Sequence, residues 1–207
     1  MLIKLNGSDI ELEVSGFNDL GELLEDIKKS RLSGKEFIAD IVINGDEVPS
    51  EKFDNVLKSP LSEIESLEIK TANPRDVSLS TLKNLDPFLE NLVTLLEQSA
   101  DKFRMEKEED ANKFFISCVE GLQTFVGLLD KIKTLNVLDL TSITYESVPV
   151  SEKEDALLKV SNSLFNSQKS KDWVSLGDVL EYELVPIIKD WRAILPLLSD
   201  AISKKEN

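Results

Sequence analysis

The side chains that carry most protein chemistry are scarce in this sequence. It has no histidine, which removes the usual general base, the commonest metal ligand and the base of every Ser-His or Cys-His nucleophile pair. Its single cysteine, Cys118, makes neither a disulfide nor a thiolate metal cluster within one chain. Carboxylates are abundant instead, with 39 Asp and Glu against 24 Lys and Arg and a net charge of −15. Acid-bearing helices suit a di-iron site, yet its Glu-x-x-His motifs need histidine, and Glu90, Glu97, Glu120 and Glu181 share no such spacing. The acidic run at 106–110 lacks the alternating ligands and central glycine of a calcium loop, so acids at a helix start explain it better. Ser80-Lys83 and Ser99-Lys102 have the Ser-x-x-Lys spacing of a serine nucleophile with a lysine base. With 22 serines and 20 lysines in 207 residues, about two such pairs arise by chance. No Gly-x-Gly occurs, so neither a dinucleotide fingerprint nor a P-loop is present. No catalytic residue, cofactor site or metal site is nominated.

One segment is unusual for another reason. Asp172 to Trp191, DWVSLGDVLEYELVPIIKDW, holds both tryptophans, Tyr182, a proline and the acids Glu181 and Glu183. The plainer reading is a core helix with Trp inside and the acids wet. The functional reading makes Trp173, Glu181, Tyr182, Glu183 and Trp191 an aromatic-acidic contact surface for another protein chain, since Trp and Tyr are favoured interface anchors. Net negative charge repels phosphate backbones and anionic lipid, so neither nucleic acid nor membrane is an expected partner. The start, MLIKLNGSDIELEV, has no apolar signal region, and no run of eighteen apolar residues occurs; a cytoplasmic location is expected.

Positioning these residues falls to a largely helical chain. From Glu108 to Leu135, Ala111, Phe114, Phe115, Cys118, Val119, Leu122, Phe125, Val126, Leu129 and Ile132 recur at helical spacing. That stripe is wider than one neighbour covers, which predicts a central helix flanked by the others. Gly121 and Gly127 inside it suggest close helix approach, and Cys118 reads as a small buried hydrophobe. A helix over about 79–104, bent at Asp86-Pro87, precedes it, with a polar turn at 105–109. Asn136 to Pro149 has no helical period and reads as a crossover loop. Ser151 and Glu154 suggest a capping box for a helix with Ala156, Leu157, Val160 and Leu164 inside, ending in a polar turn at 166–171. Asp172 caps a final helix, bent near Tyr182 by Pro186 and carrying Pro196, with disorder from 204 to 207.

The first third reads differently. Ile3 and Leu5 alternate with polar residues, Asn6-Gly7 supplies a hairpin turn, and Ile10, Leu12 and Val14 alternate again. Asp19 caps a helix with Glu22 completing a capping box; Leu20, Leu23, Leu24 and Ile27 face inward, and Gly34 ends it. Phe37 to Ile43, a turn at Asn44-Gly45, Glu47-Val48 and then Leu67, Ile69 and Thr71 supply the remaining strands. Strand, strand, helix, strand, strand is the order of a β-grasp, and residues 1–71 resemble a ubiquitin-like domain. Ubiquitin-like modifiers and sulfur carriers end in Gly-Gly, whereas here the chain runs on through Thr71-Ala72-Asn73-Pro74, and its last residues are Lys205-Glu206-Asn207. The cysteines of a β-grasp ferredoxin are also missing. The resemblance therefore implies a docking surface.

The expected fold class is α+β: a β-grasp domain at 1–73, then an antiparallel bundle of about four helices at 74–203 with a crossover at 136–150. The expected function is a non-catalytic adaptor, assembly factor or chaperone-like binder of a protein partner. Self-association is expected too, because the apolar stripes exceed what a small bundle covers. The alternatives are a small-molecule enzyme using carboxylates in a cleft between head and bundle, and a structural subunit of a larger assembly.

Overall fold

The computed structural model describes residues 1–105, 108–136 and 138–204. It is an α+β protein: a five-stranded mixed sheet followed by helices, in two compact units, Met1–Val77 and the chain from Ser78 onward.

The first unit forms around two Asn-Gly turns. β1 (Leu2–Leu5) and β2 (Ser8–Asp9) are joined through Asn6 and Gly7, at φ 52° and 79°. β3 (Phe37–Ile43) and β4 (Asp46–Glu47) are joined through Asn44 and Gly45, at φ 53° and 90°. Positive φ at both central residues is what a two-residue hairpin turn demands, and Asn-Gly supplies it at low steric cost. Each asparagine side chain also clamps one end of β5 (Ser66–Ala72): Asn6 Oδ1 accepts from Thr71 N at 2.8 Å, and Asn44 Oδ1 from Glu65 N at 2.8 Å and Ser66 N at 3.0 Å. The sheet order is β2-β1-β5-β3-β4, with β1 and β5 parallel and the other pairs antiparallel.

α1 (Leu20–Arg31) buries Leu20, Leu23, Leu24 and Ile27 in one core with Ile3, Ile41, Leu67 and Ile69 of the sheet. Asp19 caps it, accepting from Glu22 N at 2.9 Å, while the Glu22 carboxylate reaches back to Asn18 N at 2.8 Å. The helix stops at Leu32, which turns extended (ψ 143°), and not at Gly34. The segment 10–14 carries no ladder beyond Ile10 N to Ile3 O at 2.9 Å. Ile10, Leu12 and Val14 still pack on the core, so its alternation reports burial at a sheet edge. A short helix, α2 (Phe53–Val56), interrupts the loop before β5.

α3 (Pro74–Met105), which belongs to the second unit from Ser78 on, is continuous, and Pro87 lies within it. Pro87 forfeits one hydrogen bond without ending the helix; Leu82, Leu85, Leu89, Leu92, Leu96 and Phe103 stay buried along one face. α4 (Glu108–Asn136) runs back along α3. Phe103 meets Phe115 edge-on at 5.9 Å, Cys118 Sγ donates to Leu95 O at 3.6 Å, and Asn136 Nδ2 donates to Ser78 Oγ at 2.7 Å. Residues 106 and 107 of the expected 105–109 turn lie outside the described residues, as does 137.

The loop that follows contains a small hairpin, β6 (Thr144–Tyr145) with β7 (Val148–Pro149), turned by Glu146 and Ser147 at positive φ. α5 (Val150–Ser170) starts without the expected Ser151–Glu154 box. Its first amides are taken by the loop instead: Val150 N donates to Ile143 O at 2.8 Å and Ser151 N to Leu140 O at 3.3 Å. Glu154 is thereby left to accept from Lys133 Nζ at 2.6 Å. The polar stretch 166–170 is the last turn of α5, and left-handed Lys171 (φ 57°) ends it.

Asp172 caps α6 (Trp173–Asp178), accepting from Ser175 N at 3.0 Å. A π-helical turn, Val179–Leu184, then leads into α7 (Val185–Lys204). At the expected bend near Tyr182 the helix widens into this turn: in an α-helix Pro186 presses on the carbonyl four residues back, that of Tyr182, and the π spiral relieves it there. Pro196 lies inside α7, which continues through Lys204; the rest of the expected tail, 205–207, lies outside the described residues. No helix among the described residues is long and apolar enough to cross a membrane.

Candidate functional site

The α4 stripe resolves into two parts. Ala111, Phe115, Cys118, Leu122, Phe125, Leu129 and Ile132 are buried, stepping alternately by four and three residues, the seam of a coiled-coil-like pairing. The remaining apolar residues of the stripe are not enclosed in this way. Phe114 is shielded by Lys102, whose ammonium sits 4.7 Å from the ring centroid. Val119 and Val126 are left facing α5, and Val126 is 41% exposed.

There α4 and α5 enclose a groove of about 570 Å³. Buried Phe115, Leu122 and Leu164 lie at its base, with Val119, Val126, Leu158 and Phe165 along its walls. Leu158 and Phe165 are 56% and 61% exposed; seven residues apart, they share one side of α5 two turns apart, beside its buried seam of Leu157, Val160 and Leu164. The polar lining is Gln123, Ser161 and Gln168, so among the described residues no ionisable side chain lines the groove, in a chain that is 30% charged. Toward the α4 C-terminus the Lys133–Glu154 ion pair joins the same two helices. Amide, hydroxyl and hydrocarbon groups make this lining suited to an apolar surface.

Two glycines of α4 separate here. A Cβ on Gly121 would lie 2.8 Å from Leu92 Cδ1, so close packing against α3 explains that residue. A Cβ on Gly127 would meet nothing within 4 Å. Close helix approach therefore does not account for Gly127; it is a recess in the groove wall.

The aromatic-acidic segment is partly brought together. Arg104 on α3 pairs with Glu181, with Asp178 Oδ1 at 2.9 Å, and lies 5.4 Å from the Tyr182 ring centroid. These bonds, to Glu181 first and then Asp178, hold the guanidinium above its ordinary value. Trp173 stacks on Phe103 at 5.5 Å, while Tyr182 is 64% exposed and Glu183 is exposed. Trp191 is not on this surface. Its ring is fully buried against Phe125 at 5.5 Å, because it falls on the inner face of α7 in line with Ile188, Ile194 and Leu195. Cys118 is buried, and burial pushes its thiol up to about 11. Among the described residues no group of three or more His, Cys, Asp or Glu could hold a metal ion.

A family model described as "Domain of unknown function (DUF8042)" matches residues 80–194, more than half of the chain and both walls of the groove. The chain belongs to the DUF8042 family. Residues 1–73 of this DUF8042 chain match the TP0873 N-terminal domain. Over 192 residues it is 21% identical to an uncharacterized protein of Treponema pallidum (strain Nichols), covering 92% of this chain and 94% of that protein. No solved structure matches. The groove was detectable in the sequence only as an oversized stripe on α4; its α5 wall, Leu158 and Phe165, carried no separate signal.

Proposed function

We propose that this DUF8042 chain is a non-catalytic protein-interaction module of the cytoplasm, a ubiquitin-like β-grasp head on an antiparallel bundle of four helices. The head reading draws support from the sheet order β2-β1-β5-β3-β4 with α1 on one face. The bundle reading draws support from a single core shared by α3, α4, α5 and α7. The observation that carries the function is the charge-free α4/α5 groove with exposed Leu158 and Phe165 on its wall. Contiguous exposed apolar surface is costly in water, and a protein partner that covers it recovers that cost. A helix with apolar anchors three to four residues apart matches the groove's period.

The surface of Trp173, Glu181, Tyr182 and Glu183 is a weaker second candidate: its arginine is already engaged, and Trp191 is missing from it. The carboxylate enzyme gains nothing from a groove without an ionisable lining. A photoreactive phenylalanine analogue placed at Phe165, and separately at Tyr182, tests the assignment in native cells. Light-dependent adducts with protein from position 165 and none from 182 are expected. Absence of adducts at 165 above the unirradiated background would overturn it.

A further inference from the structure

The groove's own chemistry narrows its occupant, resting on the interaction reading above. The groove is a hole whose rim carries knobs: Phe165 and Leu158 project beside the recess at Gly127, on the same face of the same molecule. A two-fold axis through such a face brings each knob to the other copy's hole, as an isologous interface requires. Charge points the same way. A basic partner would be recognised by acids, and none lines the groove although the chain carries a net −15. Two equally acidic molecules meet most readily where the centre of the contact carries no charge, and the groove lining meets that condition, with the Lys133–Glu154 pair at its rim.

The size suffices as well. α5 has 21 residues and is therefore about 31 Å long at 1.5 Å per residue. Two helices side by side present a face about 20 Å wide, so roughly 600 Å² per copy and 1,200 Å² in all, the lower bound of a standard specific interface.

We infer that the α4/α5 face is a homodimer interface, closed by a second copy of this chain whose Phe165 ring enters the recess beside Gly127. The test is sedimentation of the full chain across a concentration series, with two variants that act oppositely. Phe165→Glu adds a carboxylate to the seam at an exposed position. Gly127→Leu fills the recess at a position where a Cβ meets no neighbour.

The wild type is expected at twice the 23.2 kDa chain mass above about 10 μM, with each variant at least tenfold weaker in association and unchanged in far-ultraviolet circular dichroism. A wild type that stays monomeric to about 100 μM overturns the inference, as do variants that dimerise undiminished. Adducts from position 165 separate this from the broader reading. Crosslinks to another copy support both, crosslinks only to a different protein sink the homodimer and leave the module, and no crosslinks sink both.

Discussion

Replacing Gly127 by alanine should make the protein more stable. In a helix interior glycine is about 1 kcal/mol less favourable than alanine, because its backbone loses more freedom on folding. A new methyl group normally risks a clash, but at Gly127 it meets nothing within 4 Å, so the full propensity gain should survive. With a urea slope of about 2 kcal/mol per M, the midpoint should rise by about 0.5 M. The measurement is urea unfolding followed by circular dichroism at 222 nm, at low micromolar concentration in a Phe165→Glu background. That background keeps self-association from contributing to the apparent stability. A loss of more than about 0.5 kcal/mol, or a changed slope, would mean that a neighbour packs against Gly127. The recess would then belong to the fold and not to a binding face.

The reverse result is expected at Gly177, where a Cβ would lie 3.2 Å from Ala100 O, a backbone atom of packed α3. Overpacking should outweigh the gain in propensity, and Gly177→Ala should lower the urea midpoint by a net cost of about 1 kcal/mol. Arg104→Met leaves Asp178 and Glu181 adjacent without their cation; because the groups are partly exposed the cost should be only about 1 kcal/mol, and it should shrink in 0.5 M salt. A salt-independent loss would assign the effect to packing. Cys118 titrates at about 11 when folded, against 9.0 ordinarily, because of burial. Between those values unfolding releases the thiol proton, so stability should be full below pH 9 and fall by up to about 2–3 kcal/mol toward pH 11 relative to Cys118→Ala. Parallel pH profiles for the two proteins would refute it.

Local chemistry was legible in the sequence wherever a few neighbouring residues decide the outcome. Both Asn-Gly turns, the caps at Asp19 and Asp172, and the helical periods of α3 and α4 follow from sterics and hydrogen bonds spanning four or five residues. The missing imidazole and the single thiol likewise excluded chemistry by composition alone. What distant segments supply was not legible. The Ser151–Glu154 box looked sound, but α5 begins one residue earlier, at Val150, and Leu140 O in the preceding loop takes the Ser151 amide that Glu154 would cap. Gly121 and Gly127 look alike in sequence; only the arrival of Leu92 at one and open space at the other tells packing from recess. Trp173 and Trp191 went to different environments for the same reason, one half-covered on Phe103 and one sealed against Phe125. The sequence by itself determined how much apolar surface α4 carries. Tertiary structure alone decided which part is covered, because burial depends on the neighbours a helix receives.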